Sequence, residues 1–404
     1  MEPPGWSDVA AAAERLRGLV DRTPAARSRT LSAISGCDIV VKFENLQYTG
    51  SFKDRGAANR LALLSPHERA AGVVAVSAGN HAQGVAYHAA RLGVPATILM
   101  PLTTPLAKVA DTRRLGADVV QLGRTVAEAL AGVDEHRAAG RTFIHPYDDP
   151  AVVAGQGTVG IELLSEHPDL DVIVVPVGGG GLASGVALAA AQLRPTCRVV
   201  GVQSELYPAM ADLLAGRPTR AGGDRTSVAD GIAVKTPGRI ARRLLPALGV
   251  ECVTVSEDRI EEAIGLLAER EKTVAEGAGA APLAAVLADP ASFRGQRVGL
   301  VVSGGNIDPR LCASVLMRSL VRQGRLTRLR VETDDLPGSL GRIASTVGRE
   351  GGNLIEVIHE RLVSAVPVRR VDVELLVETL DAAHLERIRG ALEAEGDAVT
   401  RLSP

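Results

Sequence analysis

The stretch DVIVVPVGGGGLASGVALAAA, residues 171–191, decides the fold. The mostly apolar residues 171–177 predict a buried strand, and residues 182–191 predict the helix that follows it. Four consecutive glycines join the two, although a strand–helix turn needs only two. A longer run lets backbone N–H groups turn inward beside the positive end of a helix. We therefore expect this loop to surround a phosphate.

The same alternation of strand and helix recurs on both sides of this stretch. Short apolar runs separated by amphipathic segments are typical of buried parallel strands with crossover helices. The predicted strands are 73–76, 96–100, 118–122, 171–177, 198–203 and 298–302, and the predicted helices are 80–91, 105–115, 126–138 and 182–191, with another from about residue 309. Two such blocks predict an α/β fold made of two subdomains of open twisted parallel sheet, with a cleft between them.

The pattern changes near residue 325. Beyond it the order is β-α-β-β-α-β, the ferredoxin-like arrangement, with strands at 328–333, 353–361, 368–378 and 399–402 and helices at 338–349 and 382–393. We predict a catalytic domain over 1–325 and a separate module over 326–404. Within the first, a smaller subdomain of roughly residues 45–150 is expected to be inserted in the larger one.

Composition narrows the class of protein. Of 404 residues, 46% are hydrophobic and 23% charged, and the net charge of −2 comes without a basic block, which argues against nucleic acid or an anionic membrane as a partner. No apolar run approaches the roughly 18 residues needed to span a bilayer. The cysteines lack metal-site spacing, so neither zinc nor a disulfide framework is predicted; they are Cys37, Cys197, Cys252 and Cys312. We expect a cytoplasmic protein that acts on a small molecule.

Lys53 is the residue that invites a chemical explanation. Only five of the 45 basic residues are lysines, and this one lies in GSFKDRG, residues 50–56. A lysine can form an imine once burial or a neighbouring cation lowers its pKa, whereas arginine cannot lose its proton. A reactive lysine and a phosphate loop together indicate pyridoxal 5′-phosphate as cofactor.

Two further motifs follow predicted strands. Ser77-Ala78-Gly79-Asn80-His81 combines small residues with a hydroxyl and free N–H groups, which suits an anion such as a substrate carboxylate. We interpret His81 as a residue that holds the turn in preference to an acid–base catalyst. Ser303-Gly304-Gly305-Asn306 closes the last strand, where a hydroxyl faces the ligand crevice of an α/β fold.

These four motifs, in this order, resemble those of the fold-type II pyridoxal-phosphate enzymes and, within that group, of the threonine ammonia-lyases. The resemblance covers roughly residues 5–320. Residues 328–404, with Asp335-Leu336-Pro337-Gly338-Ser339-Leu340 at a strand–helix turn, resemble an ACT regulatory domain.

The resemblance implies a role for each motif. Lys53 would carry the cofactor, Phe52 would pack beside its ring, and Asn80 would bind the ring hydroxyl. Ser303 would sit at the pyridine nitrogen. The phosphate would be held by Gly178, Gly179, Gly180, Gly181 and Leu182, and the substrate carboxylate by Ser77, Ala78, Gly79, Asn80 and His81.

The implied reaction is β-elimination of water from L-threonine, giving 2-oxobutanoate and ammonia, with L-serine as a second substrate. An L-serine dehydratase and a serine racemase stay open as alternatives, although Ala78 stands where racemases place a second serine. No metal site is predicted, but Glu205 leaves a bound cation possible. A non-catalytic amino-acid sensor is a further alternative of a different class.

The C-terminal module is expected to regulate the enzyme. Isoleucine or valine would bind at a turn formed by Leu336, Pro337, Gly338 and Ser339, whose backbone N–H groups suit a carboxylate. The alternative is a module that only assembles subunits. A homodimer or homotetramer is expected, and the role in isoleucine synthesis or in threonine breakdown is left open.

Overall fold

The computed structural model describes residues 2–220, 225–360, 367 and 369–402. The chain divides into two compact units, Met1–Ile307 and Asp308–Pro404. The helix Pro309–Arg322 belongs to the second unit, and the domain boundary after residue 325 stays a prediction. Within the described residues, no helix combines the length and apolar character needed to cross a bilayer.

The first unit contains two sheets. Its strands are β1 (Ala25–Ser28), β2 (Asp38–Phe43), β3 (Val73–Val76), β4 (Ala96–Met100), β5 (Asp118–Gln121), β6 (Thr142–Phe143), β7 (Val172–Pro176), β8 (Arg198–Ser204), β9 (Glu251–Val255) and β10 (Arg297–Val302). One sheet has the order β1-β2-β10-β7-β8-β9 and the other β5-β4-β3-β6. Every neighbouring pair is parallel except β1 with β2. The predicted α/β class with two parallel sheets is confirmed, with one antiparallel edge strand added.

Helices cover both sheets. They are α1 (Trp6–Arg15), α2 (Arg29–Ser35), α3 (Lys53–Ala62), α4 (Pro66–Ala71), α5 (Asn80–Arg91), α6 (Leu106–Arg114), α7 (Val126–Leu130), α8 (Val133–Ala138), α9 (Pro150–Glu166), α10 (Gly181–Leu193), α11 (Ala209–Leu214), α12 (Arg239–Ala247), α13 (Glu257–Arg270) and α14 (Gly277–Ala288), with short 3₁₀ turns at Glu44–Leu46, Asp230–Ile232 and Pro290–Phe293. The most central helices are rich in glycine and alanine, which allows close packing. A Cβ on Gly185 of α10 would lie 2.5 Å from the backbone nitrogen of Gly157 on α9.

One predicted helix is wrong as a single element. Residues 126–138 form two short helices, α7 and α8, separated by Ala131 and Gly132. Glycine is a poor helix former, and here it also allows a close approach. A Cβ on Gly132 would lie 2.5 Å from the side chain of Leu122.

The second unit is an antiparallel sheet with helices. Its elements are α15 (Pro309–Arg322), β11 (Leu326–Asp334), α16 (Ser339–Arg349), β12 (Asn353–Glu360), β13 (Arg370–Glu378), α17 (Ala382–Ala394) and β14 (Ala398–Arg401), and the strand order is β12-β13-β11-β14. Leucine and valine side chains of β11 and β13 pack against α16 and α17 in a separate core. The predicted β-α-β-β-α-β order is confirmed, while residues 361 and 368, which were assigned to strands, lie outside the described residues.

Candidate active site

Lys53 is the first residue of α3 and follows Phe52, whose backbone pairs with Ser303. The N–H of Phe52 donates to the carbonyl of Ser303 at 3.0 Å, and the N–H of Gly305 donates to the carbonyl of Gly50 at 2.9 Å. Residues 50–52 therefore pair with the chain that leaves β10. This pairing joins two of the predicted motifs, which are far apart in the sequence.

The Lys53 side chain is partly buried and points at a backbone carbonyl. Its Nζ donates to the carbonyl of Pro146 at 2.7 Å and lies 5.1 Å from the centre of the Phe52 ring. Burial lowers the pKa of Lys53 to about 8, and the nearby carboxylate of Glu276 opposes that shift. Lys53 can therefore lose its proton more readily than an ordinary lysine.

A buried ionic network fixes the start of α3. The guanidinium of Arg55 bonds Glu44 at 2.7 Å and Glu162 at 2.6 Å, and Lys42 bonds the same Glu162 at 2.6 Å. Two cations thus balance two carboxylates, as buried charges require. Because Arg55 is two residues from Lys53, the network restricts where the lysine can lie.

The segment 77–81 joins β3 to α5. The N–H of Gly79 donates to the hydroxyl of Ser77 at 3.1 Å, and a Cβ on Gly79 would meet open space. Residues 77–80 are all partly exposed. One turn further, a Cβ on Gly84 would lie 3.3 Å from the backbone of Lys53, so α5 approaches α3 closely.

His81 is buried and its ring is engaged. Its Nε2 lies 2.9 Å from the carbonyl of Ile144, and since a carbonyl only accepts, Nε2 carries the proton. Burial, with the charge of Lys53, lowers the pKa of His81 to about 3, so the imidazole stays neutral. This geometry agrees with a residue that holds the turn. Its predicted part in substrate binding stays a prediction.

The four glycines each lie where a side chain would be crowded, and at two of them it would collide. A Cβ on Gly179 would overlap the ring of Tyr147, one on Gly180 would overlap the side chain of Ala241, and Gly180 has φ +91°. A Cβ on Gly178 or Gly181 would lie 3.1 Å from the Gly231 carbonyl or 3.0 Å from the Tyr147 carbonyl, respectively. Close packing therefore disfavours a side chain at Gly179 and Gly180 and leaves little room for one at Gly178 and Gly181, whether or not a ligand is bound.

The loop also presents free donors. Among the described residues, no protein acceptor bonds the N–H groups of Gly178, Gly179 or Gly180. Gly181 and Leu182 begin α10, where N–H groups have no partner within the helix. Such a set of N–H groups is the usual site for a phosphate.

Ser303 and Asn80 complete the predicted set. Ser303 is buried directly after β10. Asn80 begins α5; its Nδ2 donates to Glu276 Oε1 at 2.7 Å and its Oδ1 accepts from Asn306 at 2.7 Å.

The predicted effector residues belong to the second unit. They form the turn before α16 and are Leu336, Pro337, Gly338 and Ser339.

Sequence reasoning missed the segment 144–148. The carbonyls of Ile144 and Pro146 bond His81 and Lys53, and the ring of Tyr147 covers Gly179. Asp148 accepts from the N–H of Ile240 at 2.9 Å, which ties the segment to α12. Backbone carbonyls carry no signal of residue type, but a histidine and a tyrosine at a strand end, in a chain with 2% aromatic residues, could have marked it.

Glu276 was also missed. It is a buried acid directly before the apolar helix α14, and that isolated charge was the available signal. Burial, with the charge of Asp230, raises the pKa of Glu276 to about 7, while the bond from Asn80 and the charges of Lys108 and Lys53 oppose the rise.

These residues fit pyridoxal phosphate. An amine with a lowered pKa would take the aldehyde, the glycine loop would take the phosphate, and Ser303 pairs through its carbonyl with Phe52, the neighbour of the lysine. The second N–H of the Asn80 amide is left for a ring hydroxyl. No feature of this arrangement conflicts with that cofactor.

Comparison with known proteins also supports pyridoxal phosphate as the cofactor of this site. A family model described as pyridoxal-phosphate dependent enzyme matches residues 16–304. An L-threonine ammonia-lyase from Thermotoga maritima is 46% identical over 96% of this chain and 97% of its own length. Among solved structures, the processed form of threonine deaminase isoform 2 from Solanum lycopersicum is 32% identical with a TM-score of 0.74, covering 79% of this chain and 91% of that one. A serine racemase from Dictyostelium discoideum is 32% identical with a TM-score of 0.71, covering 76% and 99%. The chain therefore belongs to the pyridoxal-phosphate-dependent enzymes and groups with the threonine ammonia-lyases.

Proposed function

We propose that this chain dehydrates and deaminates L-threonine to 2-oxobutanoate and ammonia, and that it also accepts L-serine. The observation that carries the proposal is the partly buried Lys53, whose amine bonds the Pro146 carbonyl one residue before Tyr147, the ring that covers the glycine loop with its free N–H groups. When bound, pyridoxal phosphate supplies an electron-accepting ring that acidifies the substrate Cα–H.

Lys53 is the group that would move the proton. Because burial lowers its pKa to about 8, roughly a tenth of the amine is neutral at pH 7, far more than for an ordinary lysine. A neutral amine would hold the cofactor and, when free, would accept the proton from the substrate Cα. The carbonyl of Pro146, 2.7 Å from Nζ, restricts its direction.

Residues 77–81 would hold the substrate carboxylate. The hydroxyl of Ser77, the open backbone at Gly79 and the N-terminus of α5 offer donors and a favourable dipole. Ala78 carries no exchangeable proton, so this chain lacks the second base that a racemase uses. Elimination is accordingly preferred over racemisation.

Steady-state kinetics tests this assignment. The chain is expected to form 2-oxobutanoate from L-threonine and pyruvate from L-serine. The kcat/KM values of the two substrates should differ by the equivalent of about 1–3 kcal/mol, the usual value for one methyl group. Lys53→Ala should lose turnover and the adduct trapped by borohydride. Substantial D-serine formation from L-serine would favour the racemase, and a wild type without cofactor absorbance would favour the sensor.

We also infer that isoleucine or valine binds the second unit. The turn before α16 supports a carboxylate site, because Gly338 has φ +93° and the first N–H groups of α16 have no partner within the helix. The turn offers fewer free backbone N–H groups than the sequence indicates. The N–H groups of Leu336 and Ser339 already donate to Asp334 and Leu336 carbonyls at 2.9 and 3.2 Å.

Calorimetry on the full chain tests the effector. Isoleucine or valine should release or absorb heat and change the rate with L-threonine. Gly338→Ala, which strains the turn because the φ of that residue is +93°, should weaken that response, while Gly390→Ala, a helical glycine of the same unit with open space around it, should not. Absence of heat and of a rate change with either amino acid would leave subunit assembly as the role.

A homodimer or homotetramer in the cytoplasm is our further proposal, in line with four free thiols.

A further inference from the structure

Glu276 is a buried acid whose side chain does not serve the helix it precedes. It occupies the N-cap position of α14, yet its carboxylate makes no capping bond there within the described chain. Its N–H donates to the Gly304 carbonyl at 3.0 Å, and its Oε1 accepts from Asn80 Nδ2 at 2.7 Å. The carboxylate is therefore directed into the candidate active site.

The amide of Asn80 is held from both sides. Its Oδ1 accepts from Asn306 Nδ2 at 2.7 Å. An ionised carboxylate only accepts and an amide NH₂ only donates, so one orientation of the Asn80 amide satisfies both neighbours. That orientation leaves one N–H of Asn80 Nδ2 for a third partner.

The surrounding chain is shaped around this contact. Asn306 is itself oriented, because its Nδ2 also donates to the Thr49 carbonyl at 2.7 Å. A Cβ on Gly304 would lie 2.5 Å from Glu276 Oε1, so a larger residue there would displace the carboxylate from its present position. Glycine at position 304 thus leaves room for the Glu276 carboxylate beside Asn80.

The charge of Glu276 can change near neutral pH. Burial is the main reason that its pKa rises to about 7, and Asp230 adds to the rise. The Asn80 bond, Lys108 and Lys53 act in the opposite direction. A buried group that titrates in the working range and lies in a ligand site is a candidate for a functional role.

We propose that Glu276 is a positioning residue that acts through Asn80, holding its amide so that the remaining N–H faces the ring hydroxyl of the cofactor. The inference rests on the proposed function, because it requires pyridoxal phosphate at Lys53. The ionised carboxylate is the stronger acceptor, so the hold on Asn80 tightens as Glu276 ionises.

A double-mutant cycle on cofactor affinity tests the proposal. Apoprotein is titrated with pyridoxal phosphate, and the dissociation constant is read from absorbance, with the Lys53 adduct verified by mass after borohydride reduction. Glu276→Ala and Asn80→Ala should each weaken binding roughly ten- to hundredfold, the loss expected for a hydrogen bond to a charged group. In the Asn80→Ala background, Glu276→Ala should add less than about twofold. Additive losses would overturn the proposal.

A matched pair of variants gives the second readout. Glu276→Gln keeps the volume and removes the charge, and it carries the test if Glu276→Ala does not fold. As the pH falls from about 8 to about 6, wild-type affinity should approach that of Glu276→Gln. Identical pH profiles in the two proteins would contradict the proposal. Asp397→Asn, which alters a buried acid of the second unit bonded to Arg342, should leave affinity unchanged.

The two hypotheses fail in different ways. A wild type that takes up no cofactor at Lys53 would overturn the proposed function and this inference with it. A wild type that binds cofactor and turns over L-threonine, but shows an additive cycle, would overturn only the role of Glu276.

Discussion

Lys53 and Glu276 show opposite pKa shifts with a single main cause. Burial penalises the charged form of both groups, so the pKa of the lysine falls to about 8 and that of the glutamate rises to about 7. Their mutual attraction reduces both shifts. Two neighbouring groups of the site, Lys53 and Glu276, therefore change their protonation state near neutral pH.

The shift of Glu276 predicts how stability depends on pH. Its folded pKa is raised from the ordinary 4.5 to about 7, so the stabilisation from the protonated carboxyl is complete below pH 4.5 and is lost as the pH rises through about 7. Apoprotein carrying Glu276→Gln, which stays neutral, should gain up to roughly 3 kcal/mol over wild type across that window. Chemical denaturation at a series of pH values measures the difference. A constant difference would show that Glu276 titrates normally.

At the scale of elements, the ionic network behind α3 makes a strong prediction. Arg55→Ala would remove the ion-pair partner of the buried Glu44 and one of the two cations at Glu162, and the loss of such a buried pair typically costs about 3–5 kcal/mol. Denaturant titration should show this loss. Arg17→Ala is the matched control, because its exposed pair with Glu14 should contribute roughly 0–1 kcal/mol. Equal losses in the two variants would contradict the role of the network.

The glycine loop makes a second prediction at this scale. Gly179→Ala would place a methyl group against the Tyr147 ring, and overpacking of this kind costs about 1–3 kcal/mol. Cofactor affinity should fall with stability, since the ring and the loop must both move. Gly390→Ala, a helical glycine with open space around it, should be neutral or stabilising by up to about 1 kcal/mol. Thermal unfolding and cofactor titration of both variants check this pair.

The elements themselves were largely predictable, and the reason is periodicity. The strand at 73–76 and the helix at 80–91 have the predicted ends, because buried parallel strands and their flanking turns leave a clear pattern. The predicted helix 126–138 failed, since its break depends on a neighbour, Leu122, that propensity cannot supply. The positions of Lys53, Ser303 and the glycines could be singled out in the sequence, because their residue types suit an amine, a hydroxyl and a tight loop. Pro146 carried none, because its contribution is a carbonyl.

At the scale of the whole molecule, the two units have separate cores. All the predicted cofactor and substrate residues lie in the first unit, and the second has its own apolar cluster. A chain ending after Ile307, where the first unit ends, should therefore bind cofactor and turn over L-threonine, and should lose any response to isoleucine or valine. Kinetics with and without effector, compared with the full chain, tests this. A folded truncated chain without activity would show that the second unit is needed for catalysis itself.

The contacts of Asn80 also bear on how the cleft moves. Asn80 starts a helix of the four-stranded subdomain, whereas Glu276 and Asn306 flank the six-stranded one. Nearby, Lys108 and Asp230 face each other at 3.6 Å across the same divide. Any hinge motion that parts the subdomains must break these contacts together. Entry of a substrate amino acid and loosening of the vitamin-derived cofactor would then occur in the same motion. Variants whose subdomains part more often should therefore exchange their cofactor faster.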